Sequence, residues 1–409
     1  MKRFGPLVIS ALLAITLAGC PPAEQENQPA SSNVQYIRVL LIENASQMYV
    51  SATANPILSV STDPQQHELA FPPDQPVLVT LNSSGWRLGS LQFGPGILTL
   101  WPGTNGTLSV NQSPYRGALR LIPRGDGFDC INVVEVDDYL KGVLARELYP
   151  KWQLEAFKAQ AVVARTYALY TAHTDGLSRD WDVYSDTRSQ VYGGIAGETA
   201  NSREAVADTA GLVLTYGSGD GKIFPAYFSS DSGGITQSAY DAFGIAPIPP
   251  LEEQDMRSYG DESPYRNWGP ITISKLELTR RIRLWASRRS PPRAEMNMAT
   301  VADVELVAVN RFGRPRTFKV TDANGQMYLL AAEELRTAFD TDPLPNNTLP
   351  SSFCKVDSNA DSIIFYDGHG LGHGVGMSQW FAEDQAERGM DYEQILTAAY
   401  PQVKFARAY

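Results

Sequence analysis

The chain has 409 residues, with 34 Lys plus Arg against 45 Asp plus Glu, a formal net charge of 34 − 45 = −11. An acidic balance of this size argues against nucleic acid or an anionic lipid surface as the main partner and leaves neutral, sugar-rich polymers open. Aromatic residues are plentiful (7 Trp, 19 Tyr, 15 Phe), and such rings stack on sugar faces, although most aromatics in any chain serve its core.

Lys2 and Arg3 open the chain, an apolar run covers 7–17, and Leu17-Ala18-Gly19-Cys20 follows. The run is too short to span a bilayer, so a cleaved signal over 1–19 is expected. The pattern resembles bacterial lipoprotein signals, which implies cleavage before Cys20 and its lipidation. Residues 20–35 are rich in Pro, Gln, Asn, Ala and Ser and read as a flexible tether. About 375 residues remain, enough for a large core or two to three subdomains.

From 36 to about 124 the pattern is β, with apolar runs at 36–42, 78–81, 97–100 and 118–121 between Gly, Pro, Asn and Ser clusters. A β-rich part over 36–128 and a core over 129–409 are therefore expected. The segment 139–170, YLKGVLARELYPKWQLEAFKAQAVVARTYALY, predicts two helices broken at Pro150, with Glu147 near the end of the first. Lys158 and Arg165, seven residues apart, differ by only about 20° in direction on the second helix. Leu154, Phe157, Ala161, Ala164 and Ala168 form a separate stripe suited to a core. By spacing alone the basic stripe reads first as a solvated face with ordinary salt bridges.

Residues 183–194, containing SDTRSQVYGG, predict a loop or short strand. A helix at 199–209 stopped by Gly211, strands at 212–216 and 224–229, and a turn at 230–234 follow. A Pro- and charge-rich loop at 247–268 precedes a helix at 274–287, with Ser274 as N-cap and Glu277 placed for a capping box. Strands at 301–309 and 316–320, a helix at 332–339, a strand at 362–366 and a helix at 378–388 complete the chain. The sum is an α+β fold: a β-rich N-terminal part, then a mixed α/β core with a substrate cleft and a variable α+β region at about 247–350.

The loop 368–379 reads GHGLGHGVGMSQ. Its five alternate glycines permit tight turns and close approach. His369 and His373 are two of only four histidines. Their spacing suits a metal only on a helix, which the glycines oppose, and no carboxylate stands at ligand spacing. No metal or cofactor is expected, and a histidine that positions substrate or an acid fits better. Asp231-Ser232-Gly233-Gly234 looks like the nucleophile loop of trypsin-like proteases and Thr171-Ala172-His173 faintly like their histidine segment. His173 ends a predicted helix, however, and the β-barrel pattern is missing, so a tight turn is the better reading. Cys130 and Cys354 would be available to pair in an oxidising compartment, and without nearby histidines they make a poor zinc site.

Four segments occur in one order: YLKGVLARELYPKWQLEAFKAQAVVARTYAL, SDTRSQVYGG, AYFSSDSGGITQSA and GLGHGVGMSQ. Together they resemble the stage II sporulation protein D (SpoIID)/LytB family, over about 36–405. The resemblance implies a peptidoglycan lytic transglycosylase that cleaves the MurNAc-GlcNAc β-1,4 bond of peptide-stripped glycan strands and leaves 1,6-anhydro-MurNAc ends. It implies Glu147 as the catalytic acid and Lys158 and Arg165 as the basic positions of the following helix. It also implies substrate contacts from Gln190, Tyr192, Ser229, Ser232, His373 and Gln379. Asp186-Thr187-Arg188-Ser189 stands where some members carry zinc-binding His or Cys, so zinc is not expected, and His369 stands where arginine is common. Some relatives are named as modifiers of wall amidases, which gives the alternative of a non-catalytic glycan-binding activator of such an amidase. The expected partners are glycan strands, the membrane through the N-terminal lipid and, in the alternative, the amidase. The expected place is an exported, membrane-anchored lipoprotein facing the periplasm or cell wall.

A single acid suffices for the implied chemistry, because the sugar's own 6-hydroxyl replaces an enzyme-borne nucleophile. That acid needs a pKa raised by burial. Arg146, Lys158 and Arg165 would pull it down unless they point elsewhere or orient acetamido, lactyl or hydroxyl groups of the substrate.

Overall fold

Alternating apolar positions in the N-terminal part form two antiparallel sheets around one core. In the computed structural model, which describes residues 34–71, 73–219, 221–259, 262–344 and 347–409, a six-stranded sheet runs from Ser113–Tyr115 at one edge to Leu91–Phe93 at the other. It faces a seven-stranded sheet whose strands run in the order Val183–Tyr184, Tyr36–Ala45, Gly127–Glu135, Ala118–Arg124, Leu98–Trp101, Ile57–Val60 and Asp63–Glu68. Met48, Val50, Leu58, Trp86, Leu100, Leu121 and Phe128 fill the space between them. The expected signal peptide, Cys20 and the tether as far as Asn33 lie outside the described residues.

One strand pair ties this sandwich to the rest of the molecule. Tyr36–Ala45 runs antiparallel to Gly127–Glu135, with Ile37 opposite Val134 and, past a bulge, Ile42 opposite Cys130 and Ala45 opposite Phe128. Side chains two apart share a face. Phe128 and Cys130 therefore enter the sandwich core, while Val134 on the same face packs with Ile37 and Val39 under helices. A boundary at 128/129 falls inside this strand, and residues Val34–Tyr409 form one compact unit.

The helices are α1 (Val136–Glu147), α2 (Leu154–Ala172), α3 (Ala200–Asp208), α4 (Ala239–Phe243), α5 (Lys275–Ser287), α6 (Ala332–Phe339), α7 (Gln379–Glu387) and α8 (Tyr392–Ala399). The break expected at Pro150 separates α1 from α2. The single buried face expected of the second helix is widened: α2 is buried on two sides, and its cations Lys158 and Arg165 are held in ion pairs with neighbouring acids. Phe157, Ala161, Ala164 and Ala168 face one core, and Ala156, Ala159, Val162 and Val163 face another, shared with α7 and α8.

A third core lies in the expected variable region. There α5 and α6 pack on the sheet Ile271–Ser274, Ser362–Tyr366, Lys355–Ser358 and on the sheet Val301–Val309, Pro315–Asp322, Met327–Ala331. The chain leaves for it after Phe228–Ser229 and returns at Met377–Ser378, and these two short strands pair in parallel. The strand expected at 224–229 shrinks to that pair because Pro225 has no N–H to give a ladder, and Tyr227 N–H turns back to the Pro225 carbonyl at 2.6 Å. Ser274 caps α5 by accepting from Glu277 N–H at 3.2 Å. The return arm of the capping box is replaced, because Arg280 and Arg281 hold the Glu277 carboxylate. Cys130 and Cys354 are buried free thiols in different cores, not a disulfide. No helix among the described residues is long and apolar enough to cross a membrane.

Candidate active site

Pro150 disfavours helical backbone at the residue before it, so α1 ends just ahead. Leu148 is extended, which leaves Glu147 as the last helical residue with its side chain turned out of the bundle end. Its carboxylate is gripped from two sides. Val191 N–H donates to Oε1 at 2.9 Å, and the Gln379 amide nitrogen donates to Oε2 at 3.4 Å. Burial nevertheless pushes the Glu147 carboxyl above its ordinary value, while these two bonds pull it partly back. The C-terminal end of a helix also disfavours an anion.

The Val191 donor is held in place from below. Alternation puts Gln190 and Tyr192 inward and leaves the Val191 N–H facing the acid. Tyr139 O–H donates to Gln190 Oε1 at 3.0 Å, and the Gln190 amide donates to the Ala164 carbonyl at 3.4 Å. Tyr192 packs on Tyr139 with the rings tilted at 48° and centroids 4.9 Å apart, and its O–H donates to Asn132 Oδ1 at 3.1 Å. The loop presses so closely on α1 that a Cβ on Gly142 would lie 2.8 Å from the Tyr192 ring.

Gln379 is delivered by the glycine-rich loop. A Cβ on Gly376, at φ +68°, would fall 2.1 Å from the Tyr227 carbonyl, so only glycine lets this loop run flush along 227–231. Ser378 then caps α7, and Gln379 opens the helix beside Glu147. Ser229 lies across the same pair of strands and accepts from Gly374 N–H at 3.2 Å.

Glu147 and Gln379 line two cavities at once. One, of about 630 Å³, is walled by Tyr167, Arg188, Ser229, Arg336, Asp340 and His373. The other, of about 280 Å³, is walled by Arg146, Tyr149, Trp152, Ser230 and Tyr265. Tyr149, Trp152 and Trp380 form a cluster with centroids 5.0–5.8 Å apart, and the Tyr149 ring is half exposed.

The expected site residues divide four ways. Ser229, His373 and Gln379 share the larger cavity with Glu147. Gln190 and Tyr192 sit beneath it. Ser232 lies inside its turn, its Oγ accepting from Gly234 N–H at 3.3 Å and its carbonyl from Arg314 at 2.6 Å. Lys158 and Arg165 line neither cavity with Glu147. Arg165 is fully buried against Asp137 at 2.8 Å, the Tyr409 hydroxyl and the Leu212 carbonyl. Lys158 bridges Glu155 at 2.9 Å and Asp208 at 3.0 Å. Both cations tie α2 to its neighbours.

His373 keeps an edge open to the cavity, yet burial pushes its imidazole down to about 4. Its Nδ1 accepts from Val375 N–H at 3.0 Å, so it meets a ligand as a neutral ring. His369 points elsewhere, with Nδ1 2.9 Å from Asn267 Oδ1 and its ring on Phe353. His173 turns its Nδ1 to the Leu169 carbonyl at 2.7 Å and forms no triad with Ser232. Among the described residues no cluster of His, Cys, Asp or Glu is arranged to hold a metal ion. Glu383, raised to about 7 by burial, is the rival acid. It accepts from Gln153 N–H at 2.9 Å and lines neither cavity with Glu147.

The model of the family described as "Stage II sporulation protein" matches residues 124–216, the span carrying Glu147, α2 and Val191. An uncharacterized protein of Brachyspira hyodysenteriae is 30% identical over 299 residues, 73% of each chain. The amidase enhancer of Bacillus subtilis is 28% identical over 300 residues, 64% of this chain and only 39% of that longer protein. Stage II sporulation protein D of Bacillus subtilis is 26% identical over 291 residues, 67% of this chain and 75% of that one.

Proposed function

The chain belongs to the SpoIID/LytB family, and on that premise we propose that it is a peptidoglycan lytic transglycosylase with Glu147 as its one acid–base group. The family and the amidase-enhancer relative support a cell-wall related role. The observation that carries the finer reading is the position of Glu147: a carboxyl with a raised pKa, gripped by Val191 and Gln379, at the junction of two cavities. A glycan laid through both cavities brings its glycosidic oxygen to the acid.

Protonated Glu147 donates to the glycosidic oxygen as the C1–O bond of the muramyl ring breaks. The oxocarbenium-like ring is closed by its own 6-hydroxyl, which bonds to C1 and gives its proton to the Glu147 carboxylate. Glu147 ends as it began, no water is consumed, and the product is a 1,6-anhydro-MurNAc end. The intramolecular nucleophile has a high effective concentration, so a second carboxylate is not needed. Asp340 is the other carboxyl of the larger cavity among the described residues. It accepts from Leu349 N–H at 2.8 Å and pairs with Arg336, which suits a structural part. Neutral His373 and Ser229 would hydrogen-bond the sugar on one side of the acid. The aromatic wall of the smaller cavity would stack a single sugar on the other. A lipid on Cys20 would hold the enzyme at the membrane facing the wall.

The second reading is a non-catalytic glycan-binding activator of a wall amidase, favoured by the relative named an amidase enhancer. Digestion of peptide-stripped glycan strands, read by mass spectrometry, separates the readings. Anhydro ends made by the protein and not by Glu147→Gln support the transglycosylase. Reducing ends point to a hydrolase and to Asp340 as its second acid, and unchanged strands to the activator.

A further inference from the structure

In the third core a tight turn joins the strands Val301–Val309 and Pro315–Asp322, and Arg314 is its last residue. Asn310 shapes the turn: its Oδ1 accepts from Arg314 N–H at 3.0 Å, and its amide donates to the Thr236 carbonyl at 3.2 Å. The Arg314 side chain is fully buried. Its Nη1 donates to the Ser232 carbonyl at 2.6 Å and to the Ile235 carbonyl at 2.7 Å, and its Nη2 donates to the His373 carbonyl at 3.2 Å. A Cβ on Gly374, at φ +69°, would lie 2.5 Å from Nη2, so only glycine there admits the guanidinium. Gln237 completes the joint, its N–H donating to the Gly374 carbonyl at 2.9 Å and its amide to the His373 carbonyl. A buried charge is costly unless it is paired. Among the described residues no carboxylate forms an ion pair with Arg314, and Glu333 and Asp231 support its charge from farther off. What holds this cation is three carbonyls on two segments, which a planar fork with two donor ends can span. Apolar packing would serve stability as well, so what the fork adds is a fixed geometry.

Resting on the reading above, in which Ser229 and His373 hydrogen-bond the sugar, we propose that Arg314 is the positioning residue of that wall. It locks the turn at 230–236 to the glycine-rich loop and so sets where Ser229 and His373 stand. The path is short. Gly374 lies against the guanidinium, and its N–H donates to Ser229 Oγ at 3.2 Å. His373 precedes it, with its carbonyl on Arg314. Both side chains line the cavity of about 630 Å³. Glu147 is gripped elsewhere, by Val191 and Gln379. Arg314 therefore serves the holding of the glycan and not the proton transfers, and through it the third core becomes part of the substrate site.

The test begins with binding, which does not depend on turnover. Peptide-stripped glycan strands are titrated calorimetrically into Glu147→Gln and into the same protein carrying Arg314→Lys as well. The lysine keeps the charge, but its single ammonium cannot span both segments. Affinity should fall about tenfold, the worth of one ordinary hydrogen bond to the sugar. With Glu147 intact, Arg314→Lys should raise KM by the same factor and leave kcat within about twofold. Ile282→Ala, buried in the third core away from the site, is the control for stability: it should lower Tm and leave affinity unchanged. Gly374→Ala, which presses on the guanidinium from the loop side, should repeat the loss of affinity and decides the matter if Arg314→Lys does not fold. Unchanged affinity in the folded variant, an equal loss in Ile282→Ala, or a fall in kcat with KM kept overturns the proposal. A failure of the transglycosylase reading appears separately, as strands bound by the unaltered protein but left without anhydro ends.

Discussion

Replacing Glu147 with Gln tests the acid in two independent ways. The glutamine keeps the shape of the side chain, and its carbonyl oxygen still accepts from Val191 N–H, now 2.9 Å from Oε1. What is lost is the proton and the charge. Loss of a positioned general acid or base costs about 10²–10⁴-fold in rate. Glu147 serves both proton transfers, so kcat should fall toward the upper end of that range, with glycan affinity kept. Stability should move the other way. Burial raises this carboxyl in the folded protein, so the native state binds the proton more tightly than the unfolded chain does. Native stability is therefore lost as pH rises from the ordinary carboxylate value to the raised one, and stays lost above it. The variant carries no such group. It should be more stable at neutral pH by about 0.5–2 kcal/mol, the range for relieving a destabilised active site. For a chain of this size that is about 0.6–2.5 °C in Tm. Below the ordinary carboxylate value both proteins carry a neutral side chain, and the difference should vanish. Scanning calorimetry across pH reads this directly. A variant that is equally or less stable at every pH would mean that Val191 and Gln379 fully compensate the buried charge. The carboxylate would then rest ionised and be a poor proton donor.

Other substitutions separate positioning from contact. Gln190→Leu leaves Tyr139 O–H buried without its partner, for a loss of about 1–3 kcal/mol. Because it loosens the loop that presents Val191 N–H, the basic limb of the kcat/KM profile should move to higher pH, and an unmoved limb refutes the positioning role. Arg165→Met should cost about 3 kcal/mol, the low end for a broken buried pair, since Asp137 keeps the Tyr409 hydroxyl. Its kcat per folded molecule should be unchanged, and a selective rise in KM would restore the substrate contact that the family resemblance implies. Tyr149→Ala removes the half-exposed ring of the smaller cavity and should raise KM about tenfold with little effect on Tm. An unchanged KM would remove that cavity from the substrate path.

Much of the site was written in local signals, and what was not has definite physical reasons. Pro150 and the apolar spacing around it marked both helices and put Glu147 at a helix end. The helical period sets Lys158 and Arg165 in nearly the same direction on α2, but period does not show which side meets water. A helix of alanines and valines fits into a core on any side, and here it is enclosed on both. The donor that grips the acid most closely is a backbone N–H at Val191, which no residue type announces. Alternation within Gln190-Val191-Tyr192 is the signal that could have found it. Polar edge strands such as Asp63–Glu68 and Ser113–Tyr115 lack an apolar run, so the N-terminal sandwich was seen only through its central strands. Helix α8 had a legible start, with Asp391 and Gln394 capping one another, that the apolar pattern alone did not bring out.

The two cavities and the insertion imply a division of labour that can be argued from the bonds. The proton affinity of Glu147 is set by burial, by Val191 in the 183–194 loop and by Gln379 at the return of the chain. Among the described residues of the inserted α5–α6 core none bonds to that carboxylate, yet Arg336 and Asp340 from this core wall the cavity of about 630 Å³, and Arg288 and Arg289 wall a neighbouring cavity of about 1150 Å³. The paired strands Phe228–Ser229 and Met377–Ser378 close the excursion, so insertion residues away from the bonds that Arg314, Pro350 and Ser351 make to the glycine-rich loop can vary without moving either group that grips the acid. Substitutions in the insertion should therefore change which strands are taken and leave the pH profile alone. Substitutions at Gln190 or Gln379 should move the profile and leave strand preference alone. A charge reversal at Arg288 and Arg289 that shifted the basic limb of kcat/KM would break this separation. It would also mean that the field of the insertion reaches Glu147 across the cavity.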